Sequence, residues 1–280
     1  MHSKMKLLIF SDIDGTFMDQ ESYSYDSLRE YVFDLKKNHS IIFNSSKTFS
    51  EIEKINNDLK INFPFIVENG ACIFFPVDFL KKGLPSNFFF NYGNYFGYPI
   101  AKVKVSFWFE KINLIRKKLN FNFSFFRELS NKKIQRITRL KSDRIEDSKN
   151  RLYSEPIFWN DSKPNLDRFI YEVKLIGGLV NIGGKFIHIT DGYDKGVALK
   201  KFISLTRKFY DYDFLTVSLG DSQNDLSMLE ITDYSCIIKC KKKKNLDLVK
   251  RKKIYYSHDI APKGWRESID YVINTEKINF

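Results

Sequence analysis

The strongest constraint on the fold is a repeated unit: a short apolar run, a polar loop, then a stretch with helical spacing. Lys6-Leu-Leu-Ile-Phe10 ends in a polar, glycine-containing loop and reads as a buried strand. From Tyr25 to Lys37 the apolar residues Leu28, Val32 and Leu35 recur near the helical period. Ser40-Ile-Ile-Phe-Asn44 is a second strand, and Thr48 to Leu59 a second helix with Thr48 or Ser50 as its N-cap. Phe65-Ile-Val67 is a third strand, and Asn69-Gly70 reads as a turn into Ala71-Cys-Ile-Phe-Phe75. Strands that alternate with helices predict an α/β fold, a doubly wound and mostly parallel sheet with helices on both faces.

The pattern changes near Lys81. Residues 81–100 are rich in Gly, Asn, Pro and aromatics, and from about 101 to 187 helical and strand-like stretches alternate, among them Arg168–Lys174 and Lys185–His188. The expected organisation is a core of residues 1–84 and 189–280 with an α+β domain, 85–188, inserted into it. In the second part of the core, Asp194 to Tyr210 reads as a helix and Phe214–Leu219 as a buried strand closing on Gly220-Asp221. Ser222 to Leu229 begins the next helix.

Composition narrows the function classes. No apolar run approaches the roughly 20 residues of a membrane span, and the run ahead of Asp12 is too short for a signal peptide. The expected location is the cytoplasm. Cys72, Cys236 and Cys240 complete no zinc set and read as free thiols. The net charge of +12 includes runs at Lys239–Lys244 and Lys250–Lys253. A charge run is usually a solvated face, so nucleic-acid binding is the minor reading. A basic surface also attracts small anionic substrates.

Four polar clusters carry the chemistry. Asp12 and Asp14 follow the first strand, where ligands bind in open parallel sheets, and side chains two apart on an extended segment face the same way. One carboxylate can attack phosphorus, while the other protonates the leaving alcohol and later activates water. A turn-capping pair is the alternative for these two residues alone. Ser45 and Ser46 follow the second strand and could hold phosphate oxygens at a helix start, or simply cap it. Lys195, after Asp191-Gly-Tyr-Asp194, could neutralise phosphate and nucleophile. Gly220-Asp-Ser-Gln-Asn-Asp225 adds two carboxylates. Mg²⁺ takes few protein oxygens and keeps waters, so Asp12, Asp221 and the Asp14 carbonyl would suffice to hold it.

These clusters, in this order, resemble the four motifs of the haloacid dehalogenase-like hydrolases. A narrower resemblance, to the mannosyl-3-phosphoglycerate phosphatase family, rests on Ser45-Ser-Lys-Thr48, Pro64–Ala71, Arg151-Leu-Tyr-Ser-Glu-Pro156, Gly183-Gly-Lys-Phe-Ile-His188, Asp194-Lys-Gly196 and Lys263-Gly-Trp265. Gln223 stands where that family is expected to have Pro, and Ala261-Pro262 where it often has Gly-Pro. The aromatic stretch 86–98 matches nothing in it.

The resemblance implies a Rossmann-like core with a substrate-selecting cap. It makes Asp12 the nucleophile, Asp14 the general acid and base, Ser45 with Ser46 the phosphate binder and Lys195 the charge balance. It also implies Mg²⁺ at Asp12, Asp14 and Asp221, with Asp225 orienting Lys195 or the metal's waters and Asn224 in support. In the cap, Arg151 pairs with a glycerate carboxylate or with Glu155 or Glu172. Glu155 accepts from sugar hydroxyls or lies on the surface, and Gly183-Gly184 admit substrate or form a plain turn. His188 reads as structural. The expected substrate is mannosyl-3-phosphoglycerate, ahead of glucosyl-3-phosphoglycerate, sucrose phosphate or a phosphomutase reaction.

Overall fold

The computed structural model describes residues 5–80, 89–183, 185–207, 214–240, 246 and 253–278. The chain forms two compact units. One comprises Met1–Ser46, Ile52–Pro99 and Asp194–Phe280; the other comprises Lys47–Glu51 and Ile100–Tyr193. Among the described residues the strands are β1 (Lys6–Ser11), β2 (Ser40–Phe43), β3 (Phe65–Val67), β4 (Cys72–Pro76), β5 (Phe90–Tyr92), β6 (Tyr95–Pro99) and β7 (Phe123–Phe125). They continue with β8 (Glu155–Trp159), β9 (Leu179–Gly183), β10 (Phe186–Thr190), β11 (Phe214–Gly220), β12 (Tyr234–Lys239) and β13 (Ile254–Ile260).

In the first unit the order β13-β12-β11-β1-β2 makes a sheet in which every pairing is parallel. Leu7, Leu8, Ile9 and Phe10 are all buried, as a strand covered on both faces requires. The chain moves outward from β1 to β2, then returns to place β11 on the other side of β1. That reversal opens a crevice at the carboxyl ends of β1, β2 and β11. Trp265, in the helix Lys263–Glu276, and Phe43 both pack edge-on against Phe17, the residue that closes the loop after β1.

A second sheet in this unit, β3-β4-β6-β5, is antiparallel and meets β2 through one bridge, Asn44 to Ile66. It absorbs much of the 86–98 stretch that matched no motif; residues 86–88 lie outside the described residues. Phe89 packs on Phe75, and Phe90 and Tyr92 on Phe74. The ring of Phe90 covers Gly97 so closely that a Cβ there would sit 2.3 Å from it. The second unit therefore takes over at Ile100 rather than at 85, because β5 and β6 are hydrogen-bonded and packed into the first. It ends at Tyr193, so 189–193 belong with it.

That second unit is an antiparallel sheet, β7-β8-β10-β9, whose core also takes in residues of the helices Val105–Leu119 and Lys163–Leu175. Trp108, Ile112, Phe125, Ile157, Phe169 and Ile187 form part of its core. The stretch Arg168–Lys174 is helical, with Phe169 and Val173 four apart on the buried face. Among the described residues no helix is long and apolar enough to cross a membrane.

Candidate active site

Asp12 extends the β1 ladder by one bond, its N–H donating to Leu219 O at 3.0 Å. Its carbonyl accepts Ser11 Oγ at 2.6 Å, and Trp265 Nε1 donates to that same hydroxyl at 2.9 Å. The chain then leaves the extended conformation. Ile13 O accepts the N–H groups of Phe17 and Met18, and Gly15 takes φ +80°. A Cβ on Gly15 would lie 3.1 Å from Asp221 Oδ2, so only glycine lets the turn rest against that carboxylate. Asp14, half-buried, sits inside this turn rather than on a strand continuing from Asp12.

Lys195 is the first residue of the helix Lys195–Thr206, whose N-cap Asp194 accepts from Val197 N at 2.7 Å. Its side chain is fully buried, with Nζ 2.6 Å from Asp12 Oδ1 and 2.7 Å from Asp225 Oδ1. Burial works against the ammonium, but the two carboxylates outweigh it and hold the lysine pKa above its ordinary value. Burial also pushes Asp225 upward, with Lys195 acting against it. The other Asp225 oxygen accepts the N–H groups of Asp221 (3.0 Å) and Ser222 (2.9 Å), folding the loop after β11 around itself. Of the two roles expected for Asp225, the geometry provides the orienting of Lys195.

Carboxylate oxygens of Asp12, Asp221 and Asp225 lie within 4.8 Å of one another. Three carboxylates against one ammonium leave excess negative charge in a buried place, a donor set suited to a hard divalent cation. Asp225 is engaged through both oxygens, by Lys195 on one side and by the N–H groups of Asp221 and Ser222 on the other, so Asp12 and Asp221 are the carboxylates that could hold such an ion. The Asp14 carboxylate is not one of the three.

Ser45 is fully buried, donating its N–H to Ile66 O at 3.2 Å and accepting from Asn69 N at 2.8 Å; Ser46 is half-buried. Thr48, not Ser50, caps the helix Phe49–Asp58, in a reciprocal box with Glu51. Two asparagines that sequence reasoning left as a strand end and a turn prove to be ties. Asn44 Nδ2 donates to Lys195 O at 3.0 Å, and Asn69 Oδ1 accepts from Asn224 Nδ2 at 3.2 Å.

In the second unit, Glu155 is buried and pairs with Arg127 at 2.5 Å, a partner nothing in the local sequence announced. Burial pushes its carboxyl up to about 7, against the pull of Arg127 and Arg151. A surface position is thereby excluded for Glu155. Arg151 donates from Nε to Ser154 Oγ at 3.0 Å and lies within electrostatic reach of Glu51 and His188. Burial, then Arg151, pushes His188 down to about 3, so this imidazole is neutral near pH 7 and serves packing. Gly183 ends β9 opposite Phe186. Gly184 lies outside the described residues, as do all of the basic residues between 241 and 252.

A parallel sheet with a carboxylate nucleophile candidate at its switch point, a buried lysine and an aspartate cluster defines a class. Residues 9–251 match the haloacid dehalogenase-like hydrolases, and the chain belongs to that family; it is a phosphoric monoester hydrolase. Within it, the chain is 34% identical over 276 residues to a glucosyl-3-phosphoglycerate/mannosyl-3-phosphoglycerate phosphatase of Persephonella marina, covering 96% of this chain and 97% of that one. It is 31% identical over 270 residues to the protein of the same description from Methanococcoides burtonii, covering 95% and 96%. The fold is similar to that of a haloacid dehalogenase-like hydrolase from Bacteroides thetaiotaomicron, with a TM-score of 0.57 at 16% identity over 97% of this chain and 99% of that one.

Proposed function

We propose that this chain is a cytoplasmic, Mg²⁺-dependent phosphatase that hydrolyses mannosyl-3-phosphoglycerate to mannosylglycerate and phosphate, with glucosyl-3-phosphoglycerate the nearest alternative substrate. The observation that carries the chemistry is the grip of Lys195 on one oxygen of Asp12. It leaves Asp12 Oδ2, which accepts no hydrogen bond from the described residues, to attack phosphorus. The substrate reading rests on the relatives' descriptions and on the Ser45-Ser-Lys-Thr48 segment.

In the first step Asp12 Oδ2 forms a bond to phosphorus as the bond from phosphorus to the glycerate 3-oxygen breaks, and Asp14 gives that oxygen its proton. In the second, water attacks the aspartyl-phosphate phosphorus, Asp14 takes the water's proton, and the Asp12–phosphorus bond breaks to release phosphate. Lys195 and the segment of Ser45 and Ser46 receive the negative phosphoryl oxygens. Such transfer depends mainly on positioning and charge neutralisation. A magnesium ion held by Asp12, Asp221 and the Asp14 carbonyl would supply further neutralisation of the phosphoryl charge. The second unit, residues 100–193 in the main, selects the alcohol carrying the phosphate.

Phosphate release from a panel of sugar phosphates, with and without Mg²⁺, tests the reading. The two glycosyl phosphoglycerates should rank first in kcat/KM, and Asp12→Asn should abolish release. A preference for sucrose phosphate would move the substrate, and an isomerised sugar phosphate without free phosphate would make the chain a mutase.

A further inference from the structure

Between β3 and β4 the backbone passes through three successive left-handed residues: Glu68 at φ +50°, Asn69 at +60° and Gly70 at +102°. Side chains other than glycine disfavour this region, asparagine least, so such a run persists only where its surroundings hold it. Three contacts do so here. Asn69 N–H donates to Ser45 O at 2.8 Å, and Asn69 Oδ1 accepts from Asn224 Nδ2 at 3.2 Å. Gly70 lies so near the N-cap of the Lys195 helix that a Cβ would stand 2.2 Å from Asp194 O.

One short loop thus touches the segment of Ser45, the start of the helix bearing Lys195, and the loop bearing Asp221 and Asp225. We propose that Asn69 is a positioning residue, a brace that sets the Ser45 segment against the Asn224 loop and so fixes the pocket for the phosphoryl oxygens. The role in turnover rests on the phosphatase reading above; the brace itself does not. Asn224 is held at both ends, since its Oδ1 accepts from Ser222 Oγ while Nδ2 reaches Asn69. An amide at position 69 accepts that bond without adding a fourth carboxylate to a site that already has three.

Asn69→Gly removes the side chain and leaves a residue at ease with positive φ. It should lower kcat for p-nitrophenyl phosphate about 10-fold, with KM changed less than about twofold, because misplacement acts on the reacting geometry. Amide hydrogen exchange should quicken in both 44–48 and 221–226 while β1 stays protected. Asn69→Asp keeps the acceptor and should retain slow exchange in both segments. In an Asn224→Ala background, Asn69→Gly should cost less than about a further twofold, as residues acting through one bond are not additive. Unchanged exchange in either segment, or independent multiplication of the two effects, overturns the proposal. Should Asn69→Gly fail to fold, Asn224→Ala alone must quicken exchange in 44–48, and its failure to do so counts against the brace equally. A wild-type chain that releases no phosphate from any ester sinks the phosphatase reading, while exchange still decides the brace.

Discussion

Replacing Lys195 by methionine keeps the length of the side chain and removes its charge from between two carboxylates. The gross attraction is large: at 2.6 and 2.7 Å, with an effective dielectric of about 20, each contact is worth roughly 6 kcal/mol before desolvation. Desolvation returns most of that, and removing one partner from a buried ion pair costs about 3–5 kcal/mol. At roughly 2–4 °C per kcal/mol, the melting temperature should fall about 6–20 °C near pH 7.5 in the presence of a chelator. The pH dependence gives the sharper test. In the wild type the raised lysine pKa means its contribution is complete below the unfolded value of 10.5, and it is lost only as pH rises through the folded value. In the variant, Asp225 stays buried with the pull of Lys195 gone, so burial holds its carboxyl above the unfolded value. The folded state then binds more protons, and the deficit should shrink as pH falls from about 7.5 toward 5. Thermal unfolding at stepped pH measures this. A deficit below about 1 kcal/mol at pH 7.5, or one indifferent to acidification, would refute the reasoning.

Two further outcomes are expected from the same physics. Glu155, pushed up to about 7 from 4.5 by burial, should cost the fold stability as pH rises through that window, by about 3 kcal/mol at roughly 1.4 per unit. Glu155→Gln should therefore unfold with a flatter pH profile between about 4.5 and 7, and an unchanged profile in urea titrations would mean that Arg127 sustains the charge. Gly15→Ala places a Cβ at φ +80° and 3.1 Å from Asp221 Oδ2. It should cost about 1–2 kcal/mol in backbone strain and raise the Mg²⁺ concentration needed for half-maximal phosphate release several-fold; an identical activation curve would show that Asp221 can yield.

Much of the first unit was legible because the signals are local. The apolar runs before Asp12 and Ser45 are strands buried on both faces, and the helix read from Asp194 onward begins there, with Asp194 as its N-cap. Two readings changed for reasons of packing. The extended geometry expected at Asp14 gave way to a turn because Ile13 O gathers the following N–H groups. The aromatic stretch near 90 became sheet because its rings found Phe74 and Phe75. Phe74 and Phe75 lie beyond the reach of a local pattern.

What the residues determine alone is which groups stand at strand ends and helix starts, since period and capping act over a few positions. Which of those ends meet is decided by strand order. Lys195 reaches Asp12 across 183 residues and Asp225 across 30, and Trp265 steadies Ser11 across 254, because β11 pairs beside β1. The same holds for Glu155, whose partner Arg127 is brought against it by the fold. The carboxylates and Lys195 were visible in the sequence, but the grip of that lysine on two of them, and the asparagine that braces their loops, are products of the fold.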